Sequence, residues 1–154
     1  MTTTLDQVLG AQAFFAGLSD AHLAMLASVA TPVSVATGRK VFHEGDVADA
    51  CYLILEGDIA LEMDVPGRGP HVLQTLHAGD MLGWSWLVSP FRYAYDAQAL
   101  TDVKAIRFDA VALRAKKDAD TEFGLELMKR FAEVLVRRMQ AARLQLLDVY
   151  GNAH

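Results

Sequence analysis

The rhythm of apolar and polar positions changes twice along the chain and divides it into three zones. From about Asp6 to Val29 the spacing is helical. Val8, Leu9, Ala13 and Phe14 fall on one face, Gly17 interrupts the pattern, and a second helix carries Leu23, Met25 and Leu26. Ser19 or Asp20 supplies the cap of that helix, since a short side-chain oxygen ahead of the first turn accepts one of its free N–H groups.

From about Thr31 to Asp109 the rhythm shortens. Val33–Ala36, Lys40–Phe42, Tyr52–Leu55, Ile59–Met63, Val72–Leu76 and Val103–Phe108 are short β-rich runs, punctuated by Gly, Pro and Asp at a fairly regular interval. Pro66-Gly67-Arg68-Gly69-Pro70 reads as a hairpin tip. About eight short strands with tight turns predict a jelly roll or barrel, whose two sheets bury alternate side chains.

Helical spacing returns after Asp109, which caps a short helix through Leu113. After Asp118–Thr121 a long helix runs to about Tyr150, with Gly151 as its stop. Phe123, Leu127 and Phe131 are placed to cover the barrel. Beyond them Leu135, Met139, Ala142, Leu146 and Val149 recur at alternating intervals of four and three. That is a heptad seam continuing past the barrel's edge, and it predicts a homodimer. Glu133, Arg137, Arg138 and Arg143 lie off the seam and read as a solvated face.

The expected fold is therefore mainly β with flanking helices: one domain over residues 1–154, formed by a double-stranded β-helix (jelly-roll) barrel. Helices occupy about 5–29, the β-roll about 31–109, and further helices about 110–150. A chain of 154 residues can bury a substantial core. Its 53% hydrophobic and 21% charged residues describe a globular protein rather than a disordered one. A net charge of −5 argues against non-specific nucleic-acid binding. No apolar run reaches membrane-spanning length, and the first residues lack the basic flank and apolar block of a signal peptide, so a cytoplasmic location is expected. Cys51 is the single cysteine, which excludes an internal disulfide, and it reads as a small residue packed in a strand.

The candidate chemistry lies in Gly83-Trp84-Ser85-Trp86-Leu87-Val88-Ser89-Pro90-Phe91-Arg92-Tyr93-Ala94. A glycine opening a short turn toward an arginine nine residues on can hold an anion between backbone N–H groups and a guanidinium. Two tryptophans in such a turn would reshape whatever lies beside the anion.

With its neighbours, this stretch resembles the cyclic nucleotide-binding domain of the Crp/Fnr regulators, regulatory kinase subunits and cyclic nucleotide-gated channels. The resemblance is carried by Val41–Asp46, Cys51–Leu61, Leu76–Gly83 and Arg92–Ala94, with the family's framework glycines at Gly45, Gly57, Gly79 and Gly83. It covers roughly residues 5–150 and implies a phosphate-binding cassette running from Gly83 to Arg92. In the family a glutamate following that glycine takes the ribose 2′-hydroxyl; here Trp84 stands there, with one N–H donor and no acceptor. Where many members place a small or hydroxylated residue after the arginine, this chain has Tyr93. The resemblance thus implies Gly83, Trp84, Ser85, Trp86, Arg92 and Tyr93 as ligand-binding residues, with the anion end kept and the ribose acceptor lost. The candidate occupant is a cyclic nucleotide or another phosphate- or carboxylate-bearing ligand.

Three functions compete at this point. The first is a non-enzymatic sensor domain, binding a small anionic, nucleotide-like ligand and signalling through a dimeric C-terminal helix to a partner protein. The chain ends at His154, shortly after the seam, so no helix-turn-helix and no direct DNA binding are expected from it. The second is a ligand-free interaction scaffold, its pocket plugged by Trp84 and Trp86, with Arg92 paired to Asp96 or Asp80. The third is a cupin-like enzyme. This needs converging histidines and a carboxylate, whereas His22, His43, His71, His77 and His154 contain no closely spaced pair. No metal or catalytic residue is assigned.

Overall fold

The structure, a computed structural model, describes residues 4–151; the side chains of residues 145, 146 and 148–151 lie outside the described set. The chain opens with α1 (Leu5–Gly10), a 3₁₀ turn (Ala13–Phe15) and α2 (Asp20–Ser28). Val8 and Leu9 therefore lie on a different element from Ala13 and Phe14, and the first helix breaks at Gly10 rather than at Gly17. The Ser19 hydroxyl accepts the His22 N–H at 3.2 Å, which starts α2 as its sequence predicts.

Among the described residues eight strands follow, in two four-stranded antiparallel sheets. These are β1 (Ala30–Val35), β2 (Lys40–Phe42), β3 (Ala50–Glu56), β4 (Ile59–Val65), β5 (Gly69–Leu76), β6 (Met81–Leu82), β7 (Asp96–Ala99) and β8 (Val103–Asp109). One sheet has the order β1-β8-β3-β6 and the other β2-β7-β4-β5. Leu53, Ile54, Ile59, Leu61, Leu76, Leu82, Ile106 and Phe108 meet between them in one core. Strand alternation aims most of these side chains inward, while the adjacent Leu53 and Ile54 show that β3 is buried on both faces, and the area removed from water is the main stabilising contribution.

The four framework glycines all adopt positive φ, between 87° and 98°. Gly57 has the strictest requirement: a Cβ there would stand 2.4 Å from the Asp102 carbonyl oxygen, so only glycine lets β3 turn into β4. The Cys51 thiol is fully buried in β3, and burial pushes its pKa up, away from thiolate chemistry.

After the barrel come α3 (Ala110–Ala119) and α4 (Thr121–Gly151). Asp109 caps α3 through Oδ1, which accepts the Ala112 N–H at 2.9 Å, but the helix continues well past Leu113. Phe123, Leu127, Phe131 and Val134 form the buried stripe of α4 against the barrel and the N-terminal turn. Phe131 makes edge contacts with Phe14 at 5.2 Å and Trp86 at 5.6 Å between ring centroids.

The expectation that α4 clears the barrel at Leu135 needs correcting. The β4–β5 hairpin is long, and the outer part of β5 leaves the core, with Val72 and Leu73 exposed. It runs beside α4, so Leu135, Met139 and Ala142 border a groove with His71–Gln74. Leu135, Met139 and Ala142 remain exposed on their outer side, while the side chains of Leu146 and Val149 lie outside the described residues.

Candidate functional site

The cassette starts where β6 ends. Gly83, at φ 87°, turns the chain into a 3₁₀ turn over Ser85–Leu87, and the Leu87 N–H bonds the Trp84 carbonyl at 3.0 Å. Its far arm is zipped to residues 45–48. Phe91 O accepts from Ala48 N at 2.7 Å, Tyr93 N donates to Asp46 O at 2.9 Å, and Gly45 N donates to Tyr93 O at 2.9 Å. From α3, Arg114 donates to the Trp86 carbonyl at 2.8 Å and lies 4.5 Å over the Phe91 ring. The turn is fastened to the barrel on one side and to α3 on the other.

The six residues singled out in the sequence divide among the core, the rim and a groove beside α4. Trp86 is fully buried against Phe131, and its indole N–H has no hydrogen-bond partner. Ser85 is buried as well. Tyr93 points into the barrel, stacked on Phe42 at 3.6 Å, and its hydroxyl donates to Ala50 O at 2.6 Å while accepting from Ala50 N at 3.3 Å. Its ring stands 3.4 Å from where a Cβ on Gly83 would be, so tyrosine occupies the space facing the cassette glycine. Burial pushes the Tyr93 phenol up, and it stays a neutral hydrogen-bonding group.

Arg92 is exposed at the rim. Its Nη1 donates to the Gly45 carbonyl at 2.8 Å, and it lines neither the groove beside α4 nor the cavity described below. Neither of the carboxylates considered for it is its partner. Asp96 accepts from Lys40 Nζ at 2.6 Å and from the Glu44 N–H at 2.7 Å, which hold its carboxyl below the usual carboxylate range. Asp80 accepts the His77 N–H at 2.8 Å.

Trp84 goes the other way. Half-buried, it forms one wall of the groove between the second sheet and α4, with Leu61, Leu73, Tyr95, Arg138 and Met139. The groove has a volume of about 410 Å³, within the range of small-molecule sites. The Tyr95 hydroxyl is buried there without a hydrogen-bond partner, although Trp84 and Arg138 both approach it. Burial pushes the Tyr95 phenol up against the opposing pull of the Arg138 guanidinium. Arg138 is itself half-buried and donates to the Met81 carbonyl, so it is not part of a solvated stripe.

Tyr95 and Arg138 were not singled out as site residues in the sequence. Arg138 carried a signal: it lies seven residues after Phe131 and four after Val134, on the barrel-facing stripe. Tyr95 carried none beyond its place next to β7.

Among the described residues the histidines do not converge. His43 and His77 are exposed beside turns; His77 Nδ1 lies 2.7 Å from Asp58 Oδ1, and this carboxylate raises its pKa. Among the described residues no three His, Cys, Asp or Glu side chains gather as a metal site. No described helix is long and apolar enough to cross a membrane.

Known proteins share this fold. The CRP-like cAMP-activated global transcriptional regulator of Mycobacterium tuberculosis is 27% identical over 145 residues, which cover 94% of this chain. The matched region spans only 63% of that regulator's length. A putative cyclic nucleotide-binding protein from Geobacter metallireducens superposes with a TM-score of 0.80 at 27% identity, covering 90% of this chain and 99% of that one. The N-terminal domain of a Streptomyces coelicolor transcriptional regulator gives 0.69 at 28% identity, over 87% and 94% of the two chains. Residues 32–120, which span the β-roll, the cassette turn and α3, match the cyclic nucleotide-binding domain family itself. With that match, the jelly roll and the four positive-φ glycines all agreeing, the chain belongs to the cyclic nucleotide-binding domain family.

Proposed function

We propose that this chain is a regulatory ligand-binding module whose ligand occupies the groove beside Trp84 rather than the interior of the cassette. It passes occupancy on through α4 to a second copy of the chain, and from there to a protein partner. The observation that carries this reading is the Tyr95 hydroxyl, buried and unpartnered in a groove wall beside Arg138 and Trp84. An unsatisfied buried polar group costs about 1–3 kcal/mol; Trp84 and Arg138 cover this hydroxyl, and a ligand acceptor that displaces either side chain recovers the cost. Trp84 offers a flat face for stacking, Arg138 a cation, and Leu61, Leu73 and Met139 an apolar bed. The fitting ligand is a small, flat, partly aromatic molecule with an anionic or acceptor group at one end. Cyclic AMP, named for the Mycobacterium regulator, is one candidate.

Nothing at the site calls for a reaction, and the reading is non-enzymatic. The experiment is mass spectrometry of ligand released from protein purified directly from cells, for the unmodified chain and for Tyr95→Phe. Retained ligand that is lost, or weakened about tenfold, in Tyr95→Phe supports the groove. Retention unchanged by Tyr95→Phe but lost in Arg92→Ala contradicts it.

Dimerisation rests on the exposed seam positions Leu135, Met139 and Ala142 and on the sequence spacing of Leu146 and Val149. Leu146→Asp is expected to sediment as a monomer; a dimer unchanged by it places the interface elsewhere. A second reading, the ligand-free scaffold, is favoured by Trp86 and Tyr93, which fill the core with side chains. It predicts protein that leaves the cell with no small molecule bound.

A further inference from the structure

Arg138 also forms a wall of a second cavity, on the side facing the N-terminal turn, and this cavity has no part in the groove reading. It lies between the Ala13–Phe15 turn, the β5–β6 turn at Gly79–Met81 and α4, with a volume of about 480 Å³. Arg130, Glu133, Val134, Arg137 and Arg138 all face it, since intervals of three and four place them on one side of α4. We propose that it is a site for a small phosphorylated molecule carrying hydroxyl groups.

Two of the three guanidinium groups in the lining are available to an anion. Arg130 is already committed: it bonds Glu126 at 2.7 Å and the Ala16 carbonyl at 2.6 Å, so it acts as a fixed wall. Arg138 is held by a neutral acceptor, the Met81 carbonyl, and among the described residues it forms no ion pair. Arg137 is exposed and likewise forms no ion pair among the described residues. Two guanidinium groups therefore face one cavity without forming an ion pair among the described residues, although the carboxylates of Asp80 and Glu133 line it too. Guanidinium forks match the oxygens of phosphate through paired, charge-assisted hydrogen bonds.

The remaining walls restrict the rest of the ligand. Asp80 has one carboxylate oxygen committed to the His77 N–H, while Glu133 is exposed and forms no ion pair among the described residues. A free carboxylate repels a bare anion and accepts from hydroxyl groups, which favours a phosphate ester of a polyol over inorganic phosphate. The volume agrees, because a bare phosphate leaves most of the cavity unfilled.

Calorimetric titration of the whole chain with ribose 5-phosphate, inorganic phosphate and ribose tests the site. Ribose 5-phosphate is expected to bind most tightly. Arg137→Ala should weaken it at least about tenfold, the loss of one charge-assisted bond. Glu133→Gln should weaken ribose 5-phosphate and leave inorganic phosphate unaffected or tighter. Arg137 and Glu133 are both exposed, and thermal melts of the variants confirm that the fold is kept. Trp84→Leu, a groove variant, should leave this binding intact, so failure of the groove and failure of the cavity are distinguishable. The proposal is overturned if no phosphate-bearing probe binds, if inorganic phosphate binds as tightly as the ester (an adventitious ion only), if Arg137→Ala changes nothing, or if Trp84→Leu abolishes binding.

Discussion

Two tryptophans two residues apart in the same turn meet opposite surroundings. Trp86 is sealed against Phe131 in the core, whereas Trp84 stands half-exposed over a groove that reaches α4. The inward side of the cassette is closed by protein: Trp86 and Tyr93 pack it, and Tyr93 spends its hydroxyl on the Ala50 backbone. The outward side is open and holds a polar group without a partner. The lesson is that a binding turn can keep its backbone path, set by Gly83 and the strands before it, while its side chains move the useful surface from one side to the other.

The contrast is broken most severely by truncating each indole. Trp86→Ala is expected to cost about 3–5 kcal/mol of stability, as for other fully buried large aromatics. Trp84→Ala should cost only about 1–2 kcal/mol, because part of its surface is already in water. Urea denaturation of the two variants reads the difference, and equal losses would show that Trp84 is also a core residue.

Next comes Tyr93→Phe, which leaves the stacked ring in place but removes the partner of the buried Ala50 N–H and carbonyl. A loss of about 1–3 kcal/mol is expected. The same change at Tyr95 removes a hydroxyl that has no partner, so the unliganded protein should be unchanged or slightly more stable. If the two phenylalanine variants melt alike, the two sides of the turn do not differ in the way described.

Much of this architecture is legible in the amino-acid order. The Gly-Asp turns, the strand rhythm and the Ser19 and Asp109 caps are local signals, and each appears in the structure where its chemistry requires it. The resemblance carried by Gly45, Gly57, Gly79 and Gly83 led to the family. What the sequence did not disclose depends on distant contacts. Whether Tyr93 points into the barrel is decided by Phe42 and Ala50, more than forty positions away in the chain. Arg92 looked like an anion ligand because it lies at the right interval from Gly83, but its orientation depends on the Gly45 carbonyl and the Val47 bridge. Arg138 shares the barrel-facing stripe of Phe131 and Val134, but the Met81 carbonyl that holds it is a distant contact that local spacing does not reveal.

The smallest expected effect lies at the barrel rim, away from both sides of the turn. The Asp58 carboxylate raises the pKa of His77, so their attraction is fully present below the ordinary histidine value of 6.5. It fades as pH rises through the raised folded value. In Asp58→Asn the His77 ring resonances should titrate at lower pH. Both groups are exposed, so the pH dependence of stability should be slight, and ligand retention should not follow it.

The central claim, that the cassette interior is closed and the groove is the site, is tested most directly by cyclic AMP titration of the unmodified chain and Arg92→Ala in the same calorimeter. The account predicts superimposable isotherms, because Arg92 is occupied with the Gly45 carbonyl and lines no part of the groove. Tight binding that falls by about two orders of magnitude in Arg92→Ala, the loss expected for a direct phosphate ligand, would contradict it.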